Sequence, residues 1–188
     1  MTVCSSAKHS SKQAYDLLSA PRLKTTVRFL QPLNRKVKTM HDVVIRPLRQ
    51  DDYAQWLPLW QGYQRFYKVS IADEVSALTW ARFFEELVPM HAFVAEQNGT
   101  LLGMVHYIFH YSTWTAGPYV YLQDLFTNEA ARGKGVGTAL IKAVYEKSAS
   151  AGAARVYWLT HESNETAISL YRKVADQSGF IQFRKIMG

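Results

Sequence analysis

The sequence contains a single cysteine, Cys4, among its 188 residues. One thiol excludes a disulfide framework and a cysteine-based metal site within the chain. No apolar run approaches the roughly 18 residues that a membrane-spanning helix needs, so the sequence predicts a soluble protein without a membrane partner. Because a chain without disulfides suits a reducing compartment, we expect a cytoplasmic location.

Acidic residues are nearly absent from the first 39 residues, where Asp16 stands against eight lysines and arginines. This segment carries a net charge of +7, whereas residues 40–188 hold 14 basic and 14 acidic residues. The high isoelectric point is therefore caused by the charge of the first 39 residues. A nucleic-acid partner is not expected for residues 40–188, whose charges balance. The sequence predicts a basic, disordered extension over residues 1–40 and one folded domain over residues 41–188.

Three interpretations of the basic segment stay open. It has the composition of an organelle transit peptide, which would place the protein in an organelle. It also has the charge of an arm that binds an acidic partner. Finally, it could be a plain tail read from an early start codon, because Met40 directly precedes the first strand-like run.

Hydrophobic periodicity along residues 41–188 predicts a series of strands and helices. Asn98-Gly99 predicts a type I′ hairpin turn, because this turn needs positive φ at both central residues. The order β-αα-βββ-α-β-α-β predicts an α/β (α+β) fold, with a mixed central sheet and helices on its faces. The predicted strands are 43–48, 91–96, 100–111, 119–127, 154–160 and 179–186, and the predicted helices are 52–67, 74–88, 138–150 and 165–175.

Two features of the predicted helices depend on individual residues. Pro58 lies inside the first helix and is expected to break or bend it. The second helix is expected to bury one apolar side. That side consists of Ala77, Leu78, Ala81, Phe84, Leu87 and Val88.

Three glycines alternate just before the third predicted helix, at Gly133, Gly135 and Gly137. Without Cβ atoms they allow backbone N–H groups to approach a ligand closely. The helix N-terminus adds unpaired donors and a partial positive charge, and Arg132 and Lys134 add formal charge. The spacing differs from the P-loop and from the dinucleotide fingerprint. The pattern therefore predicts one of two structures. It is either a loop that binds the pyrophosphate of a ligand other than those recognised by these two motifs, or a glycine-rich turn that binds nothing.

The loop and its surroundings resemble the GCN5-related N-acetyltransferase (GNAT) superfamily. Residues 132–137, Arg-Gly-Lys-Gly-Val-Gly, match its R/Q-x-x-G-x-G/A signature. Residues 164–171 are similar to its N-x-x-A-x-x-x-Y segment, and Gly179-Phe180 to its G-F pair. Residues 121–127 are similar to the central strand of the spermidine/spermine-acetyltransferase-like branch. The resemblance covers roughly residues 42–187.

The resemblance implies the GNAT fold, whose central strand splays from its neighbour so that acetyl-CoA can enter the gap. Backbone groups of residues 125–127 would contact the acetyl-pantetheine, and the amides of residues 133–138 would hold the pyrophosphate. Asn164 would bond the pantetheine arm, and Ala167 would pack against it. The implied acetyl-CoA-binding residues are Leu125, Phe126, Thr127, Arg132, Gly133, Lys134, Gly135, Val136, Gly137, Thr138, Asn164 and Ala167.

The implied reaction is direct attack of a primary amine on acetyl-CoA in a ternary complex, without an enzyme nucleophile. Tyr171 would lie at the sulfur as a general acid, or else be a packed aromatic residue. The base is left open. Related enzymes often have a glutamate where this chain has Gln123, which could only position water or the amine. Strand alternation points Asp124 to the opposite face, and Glu162 and His161 are the other candidates.

The acceptor is also left open between a small amine or polyamine, which we favour, and a protein lysine, as in a histone, or N-terminus. A non-catalytic acyl-CoA sensor is a third interpretation, and a homodimer is implied only by analogy. Aromatic faces attract ammonium groups, and carboxylates at Asp73, Glu74, Glu85 and Glu86 either attract a cation or form solvated helix faces. The aromatic candidates are Trp56, Trp60, Tyr63, Tyr67, Trp80, Phe83, Tyr107, Trp114, Tyr119 and Tyr121.

His106 and His110 are four residues apart, which on a helix would suggest metal ligation. They lie in a predicted strand, where residues advance by about 3.3 Å and the pair would be ~13 Å apart. The sequence therefore predicts no metal site.

Overall fold

The computed structural model describes residues 43–187. The predicted basic extension and Met40 lie outside the described residues. Within residues 43–187, no helix combines the length and the apolar character that a membrane span requires.

One mixed sheet organises the described part of the chain. Its strands are β1 (Val44–Pro47), β2 (Met90–Gln97), β3 (Thr100–His110), β4 (Tyr119–Thr127) and β5 (Arg155–Tyr157), and the helices are α1 (Tyr53–Phe66), α2 (Asp73–Arg82), α3 (Val136–Ser150) and α4 (Glu165–Tyr171). The strands lie side by side in sequence order. All neighbours are antiparallel except β4 and β5, which are parallel. The predicted α/β fold class is confirmed.

Helices cover both faces of the sheet, as expected. On one face, α3 buries Leu140, Ile141 and Val144 against the sheet, and residues of α4 join this core. On the other face, α1 buries Trp56 against Met104 of β3, and Trp80 of α2 packs beside them, followed by Phe83 and Phe84 just after the helix. Each face therefore has its own apolar core, and the sheet separates the two.

The central strand splays from its neighbour, as the resemblance implied. β4 pairs with β3 from Tyr119 to Thr127, but it pairs with β5 only over Tyr119–Tyr121. Beyond Tyr121 the two parallel strands separate. The outer backbone edge of residues 122–127 is therefore open within the described structure.

The start of α1 is held by a buried ion-pair cluster. Arg46 donates to Asp52 at 2.6 and 2.8 Å and to Glu96 at 2.6 Å. The Asp52 carboxylate also accepts from the Arg49 amide at 2.8 Å. Hydrogen bonding to Arg46 lowers the pKa of Asp52 below its usual value. Pro58 lies inside α1 without interrupting it, so the expected break is wrong.

The hairpin prediction was accurate because it rested on local turn chemistry. Asn98 and Gly99 have φ angles of 52° and 76° and join β2 to β3. The predicted second helix was less accurate, since α2 ends at Arg82 and buries another side. Trp60 donates to Ser76 at 3.1 Å, and Trp80 packs on Trp56. These contacts with α1 decide the orientation of α2, and the predicted apolar side is largely exposed, including Leu78 and Leu87.

The C-terminal prediction was wrong in part. Helix α4 ends at Tyr171 rather than at residue 175, and β5 holds three residues of the predicted strand 154–160. Residues 179–186 form no strand. Phe180, Ile181 and Phe183 are apolar, but they are 75–88% exposed. A strand requires a paired neighbour, and this segment pairs with none of the described strands.

Candidate active site

The glycine loop offers a row of free backbone donors. Gly133 and Gly135 have φ angles of 70° and 82°, in the left-handed region that glycine tolerates best. Ala139 makes the first helical bond, to the Gly135 carbonyl at 3.0 Å. Within residues 43–187, the six amides of residues 133–138 donate to no acceptor. Because the positive end of α3 lies at the same place, the loop can bind an anion.

The side chains around the loop leave these amides accessible. Val136 turns inward and is buried in the core, so it offers only its backbone. Arg132 makes long contacts of 3.3 Å to the Thr127 carbonyl and 3.4 Å to Glu129. Lys134 donates to the Ala130 carbonyl. Both cations are exposed, and Arg132 is held only by its long contacts, so it can turn toward a bound anion.

The open edge of β4 lies immediately before this loop. Leu125 packs in the α3-side core and Phe126 in the α1-side core, while Thr127 ends the strand. Asn164 immediately precedes α4. Its side chain accepts from the Ala167 amide at 3.4 Å and donates to the Thr160 hydroxyl at 3.3 Å. Asn164 is therefore held only by long hydrogen bonds.

Tyr171 is the last residue of α4 and packs against the α3-side core. Its ring lies edge-on to Trp158, with centroids 5.2 Å apart. Burial is the main cause that raises the pKa of the Tyr171 phenol to about 12, and the nearby Tyr67 adds to it. Tyr171 therefore keeps its proton at neutral pH and can act as a hydrogen-bond donor.

A β-bulge in β4 overturns the predicted orientation of Asp124. Leu122 pairs with Tyr107 and Asp124 pairs with His106, so Gln123 is the extra residue. The bulge interrupts the strict alternation on which the prediction depended. Asp124 therefore lies beside His106 on the α1 face of the sheet, buried, while Gln123 is exposed.

Three tyrosines gather around the Asp124 carboxylate. Burial and the charge of Asp124 raise the pKa of Tyr63 well above its usual value. The same two causes raise the pKa of Tyr121. Tyr67 stacks obliquely on Tyr63, with centroids 4.9 Å apart, and is more than one-third exposed. These residues form a tyrosine cleft, which we define as Tyr63, Tyr67, Tyr121 and the carboxylate of Asp124.

Most other aromatic candidates lie elsewhere. Trp56 and Trp60 are buried in the core, and Tyr107 is buried on the α3 face. Trp114 is 78% exposed, and Tyr119 lies beneath the Arg155 guanidinium. They therefore belong to packing or to the surface rather than to the tyrosine cleft.

The two base candidates after β5 are not brought to the cleft by any contact. Glu162 is exposed, and His161 is exposed and bonded to the Ser163 hydroxyl at 2.8 Å. The functional residue that sequence reasoning missed is His106, which was weighed only as a metal ligand. Its Nδ1 lies 3.0 Å from Asp124. The register shift that brings the two together has no sequence signal, since it depends on pairing between distant strands.

A family model described as "Acetyltransferase (GNAT) family" matches residues 53–175, well over half of the chain. The chain belongs to the GNAT acetyltransferase family. The match covers both faces of the sheet, the glycine loop and α4, and so includes every feature of the candidate site.

Two groups of relatives agree with this membership. The D-amino-acid N-acetyltransferase HPA3 of Saccharomyces cerevisiae is 34% identical over 145 residues, covering 76% of this chain and 90% of the relative. The thialysine N-epsilon-acetyltransferase of Mus musculus is 31% identical over 155 residues, covering 74% and 90%. This GNAT protein is therefore an N-acetyltransferase enzyme.

Solved structures share the GNAT fold. An aminoglycoside acetyltransferase from an uncultured soil metagenomic sample superposes with a TM-score of 0.69 at 18% identity, covering 79% of this chain and 99% of that one. The aminoglycoside N-acetyltransferase AAC(6')-Iy, solved in complex with CoA, has a TM-score of 0.67 at 17% identity, with coverages of 77% and 94%. At these identities the likeness shows the fold alone.

Proposed function

We propose that this GNAT enzyme transfers the acetyl group of acetyl-CoA to a primary amine of a small acceptor, by direct attack in a ternary complex. The observation that carries the proposal is the run of six free amides over residues 133–138, beside the open edge of β4. A diphosphate and an extended amide-bearing arm are the two chemical features that such a site would bind.

The residues fit coenzyme A in three places. The amides of residues 133–138 would hold the diphosphate at the positive end of α3, with Arg132 and Lys134 turning toward its charge. The open edge at Leu125, Phe126 and Thr127 would pair with the pantetheine amides as a strand pairs with its neighbour. Asn164 would give up its long hydrogen bonds to Thr160 and Ala167 and bond the pantetheine arm instead, and Ala167 would pack against the arm.

Acetyl-CoA would supply the acetyl group as an activated thioester. Tyr171, protonated because its pKa is about 12, would donate a hydrogen bond to the departing thiolate, whose pKa is roughly 8.5 by analogy with cysteine. The acceptor amine must first lose a proton. For a lysine-like amine at pH 7 this costs on the order of 4–5 kcal/mol if it is unaided.

Asp124 is our candidate to accept that proton or to anchor the ammonium group. We prefer Asp124 to Glu162 as the base, because Asp124 is buried beside Tyr63 and Tyr121 whereas Glu162 is exposed after β5. Gln123 cannot accept a proton at neutral pH, and its exposed amide at the bulge would position water or the amine.

A small cationic acceptor fits the cleft. A carboxylate surrounded by aromatic faces can hold an ammonium group through charge and cation–π attraction. The similar enzymes are named for a D-amino acid and for thialysine, both of which are small amines. Both observations favour a small amine over a protein lysine. A homodimer and a cytoplasmic location remain predictions.

The test is thiol release from acetyl-CoA by the full chain against a panel of amino acids, thialysine, polyamines, aminoglycosides and lysine peptides. We expect at least one small amine to accelerate release, and Asp124→Asn to lower kcat/KM by about 100-fold. Preference for a peptide or protein would contradict the small acceptor. Tight binding of coenzyme A with no accelerated release by any acceptor would favour the sensor and refute the enzymatic proposal.

A further inference from the structure

A buried chain of hydrogen bonds runs from α1 across β3 to β4. Trp56 Nε1 lies 3.0 Å from His106 Nε2, and His106 Nδ1 lies 3.0 Å from Asp124 Oδ2. Trp56 is fully buried, His106 is 2% exposed and Asp124 is 7% exposed. The three side chains come from three different elements, and the bulge at Gln123 brings the last of them into register.

The donors and acceptors in this chain can be arranged in one way. The indole N–H is a donor only, so His106 Nε2 must be the acceptor and carry no proton. The proton of the neutral imidazole is then on Nδ1, which donates to Asp124. Trp56 thereby selects the tautomer that presents an N–H to the carboxylate.

His106 bonds only one of the two carboxylate oxygens of Asp124. His106 Nδ1 lies 3.0 Å from Oδ2, and the phenol of Tyr63, on the cleft side, also hydrogen-bonds the carboxylate. The Asp124 side chain is 9% exposed, so the carboxylate is not sealed off from the cleft.

The groups that face this pair are aromatic rather than charged. Trp60 and Phe83 pack against the His106 ring, with centroids 5.4 and 4.7 Å away. Tyr63 from α1 and Tyr121 from β4 face Asp124. Among these described neighbours no lysine, arginine or further carboxylate faces the pair. His106 from β3 and Tyr63 from α1 therefore hold the Asp124 carboxylate between them.

We infer that His106 is a positioning residue for acetyl transfer, held in its Nδ1–H tautomer by Trp56, and that it aims the carboxylate of Asp124 at the acceptor amine. This inference rests on the proposed function. It assigns a role to two residues that touch neither the acceptor nor coenzyme A. A core built for packing alone would not need to bury a carboxylate, since apolar side chains of similar volume would serve as well.

The test compares substitutions that remove, restore or leave the donor. His106→Phe keeps an aromatic ring but removes the N–H, whereas His106→Asn places an amide N–H near the position of Nδ1. Trp56→Phe keeps an aromatic ring but removes the indole N–H, so that His106 Nε2 no longer has to be the acceptor. His91→Phe is the matched control, because His91 is a half-buried histidine of the same sheet that packs with Tyr107 on the α3 face.

The readout is kcat/KM for the acceptor amine, measured together with the KM for acetyl-CoA. In His106→Phe we expect kcat/KM for the acceptor to fall by about 10- to 100-fold with the KM for acetyl-CoA unchanged, because the carboxylate loses the donor that orients it. Trp56→Phe should lower it less, His106→Asn should restore most of it, and His91→Phe should leave it unchanged.

Two further results separate the ways in which the inference can fail. Imidazole ¹⁵N shifts of the wild-type chain should report a protonated Nδ1 on His106, and Trp56→Phe should change them. An active wild-type enzyme whose kcat/KM is unchanged in both Trp56→Phe and His106→Phe would overturn the inference alone. If His106→Phe does not fold, Trp56→Phe and His106→Asn decide the matter. Absence of acetyl transfer by the wild-type chain would overturn the proposed function and the inference with it.

Discussion

Replacing Gly133 with alanine isolates the contribution of the glycine loop to coenzyme A binding. Gly133 has a φ of 70°, and a Cβ built on it meets no atom within 4 Å. The methyl group would therefore cause no clash in the free enzyme. It would project into the open space beside the free amides, where the diphosphate is proposed to lie.

The structure gives separate magnitudes for stability and for binding. A left-handed conformation costs an alanine roughly 1–2 kcal/mol, so Tm should fall by about 2–8 °C for a domain of this size. A methyl group that separates the diphosphate from one amide forfeits a charged hydrogen bond of about 1.5–3 kcal/mol. The Kd for coenzyme A should therefore rise by about 10- to 100-fold.

Gly152→Ala provides the matched control. Gly152 has a φ of 68° and the same open space, but it lies at the far end of α3, about 22 Å away along the helix. Both variants should lose similar stability in thermal unfolding. In calorimetric titration, only Gly133→Ala should bind coenzyme A weakly, and its affinity for pantetheine, which lacks the diphosphate, should be unchanged. Tight coenzyme A binding by Gly133→Ala would refute the assignment of the loop.

Two further predictions concern titrating groups. Tyr171→Phe should lower kcat by about 10- to 100-fold, and because the pKa of Tyr171 is about 12, the wild-type rate should not fall between about pH 8 and 10 through loss of this proton. The pKa of Asp52 is lowered in the folded state, so its stabilisation is present above about pH 4 and is lost as pH falls through the lower folded value. Asp52→Asn should cost about 1–3 kcal/mol at pH 7 and flatten this acid loss in urea unfolding.

Features that depend on local chemistry could be predicted from the sequence. The hairpin at Asn98-Gly99 follows from the φ angles of the turn, and the bounds of β4 follow from its β-favouring residues between a turn and the glycine loop. The free amides at Gly133 to Thr138 follow from alternating glycines before a helix. Each of these requires only neighbouring residues.

Features that depend on distant partners could not be predicted in this way. The buried side of α2 is decided by contacts with α1. Trp60 bonds Ser76 and Trp56 packs on Trp80, so these residues are turned inward instead of the predicted apolar side. The expected last strand at 179–186 has suitable residues but no strand beside it in the described structure. Pairing and packing are set by the whole fold, and one sequence carries little information about them.

The bulge in β4 shows how such a distant effect changes the chemistry of the site. With strict alternation, Gln123 would face the acceptor and Asp124 would face away, leaving the amine without a carboxylate. One inserted residue places Asp124 opposite His106 and exposes Gln123. The glutamine at position 123, which cannot accept a proton, is then no obstacle to catalysis. In the mechanism that we propose, the carboxylate one residue later accepts the proton instead, and His106 and Trp56 hold it in position.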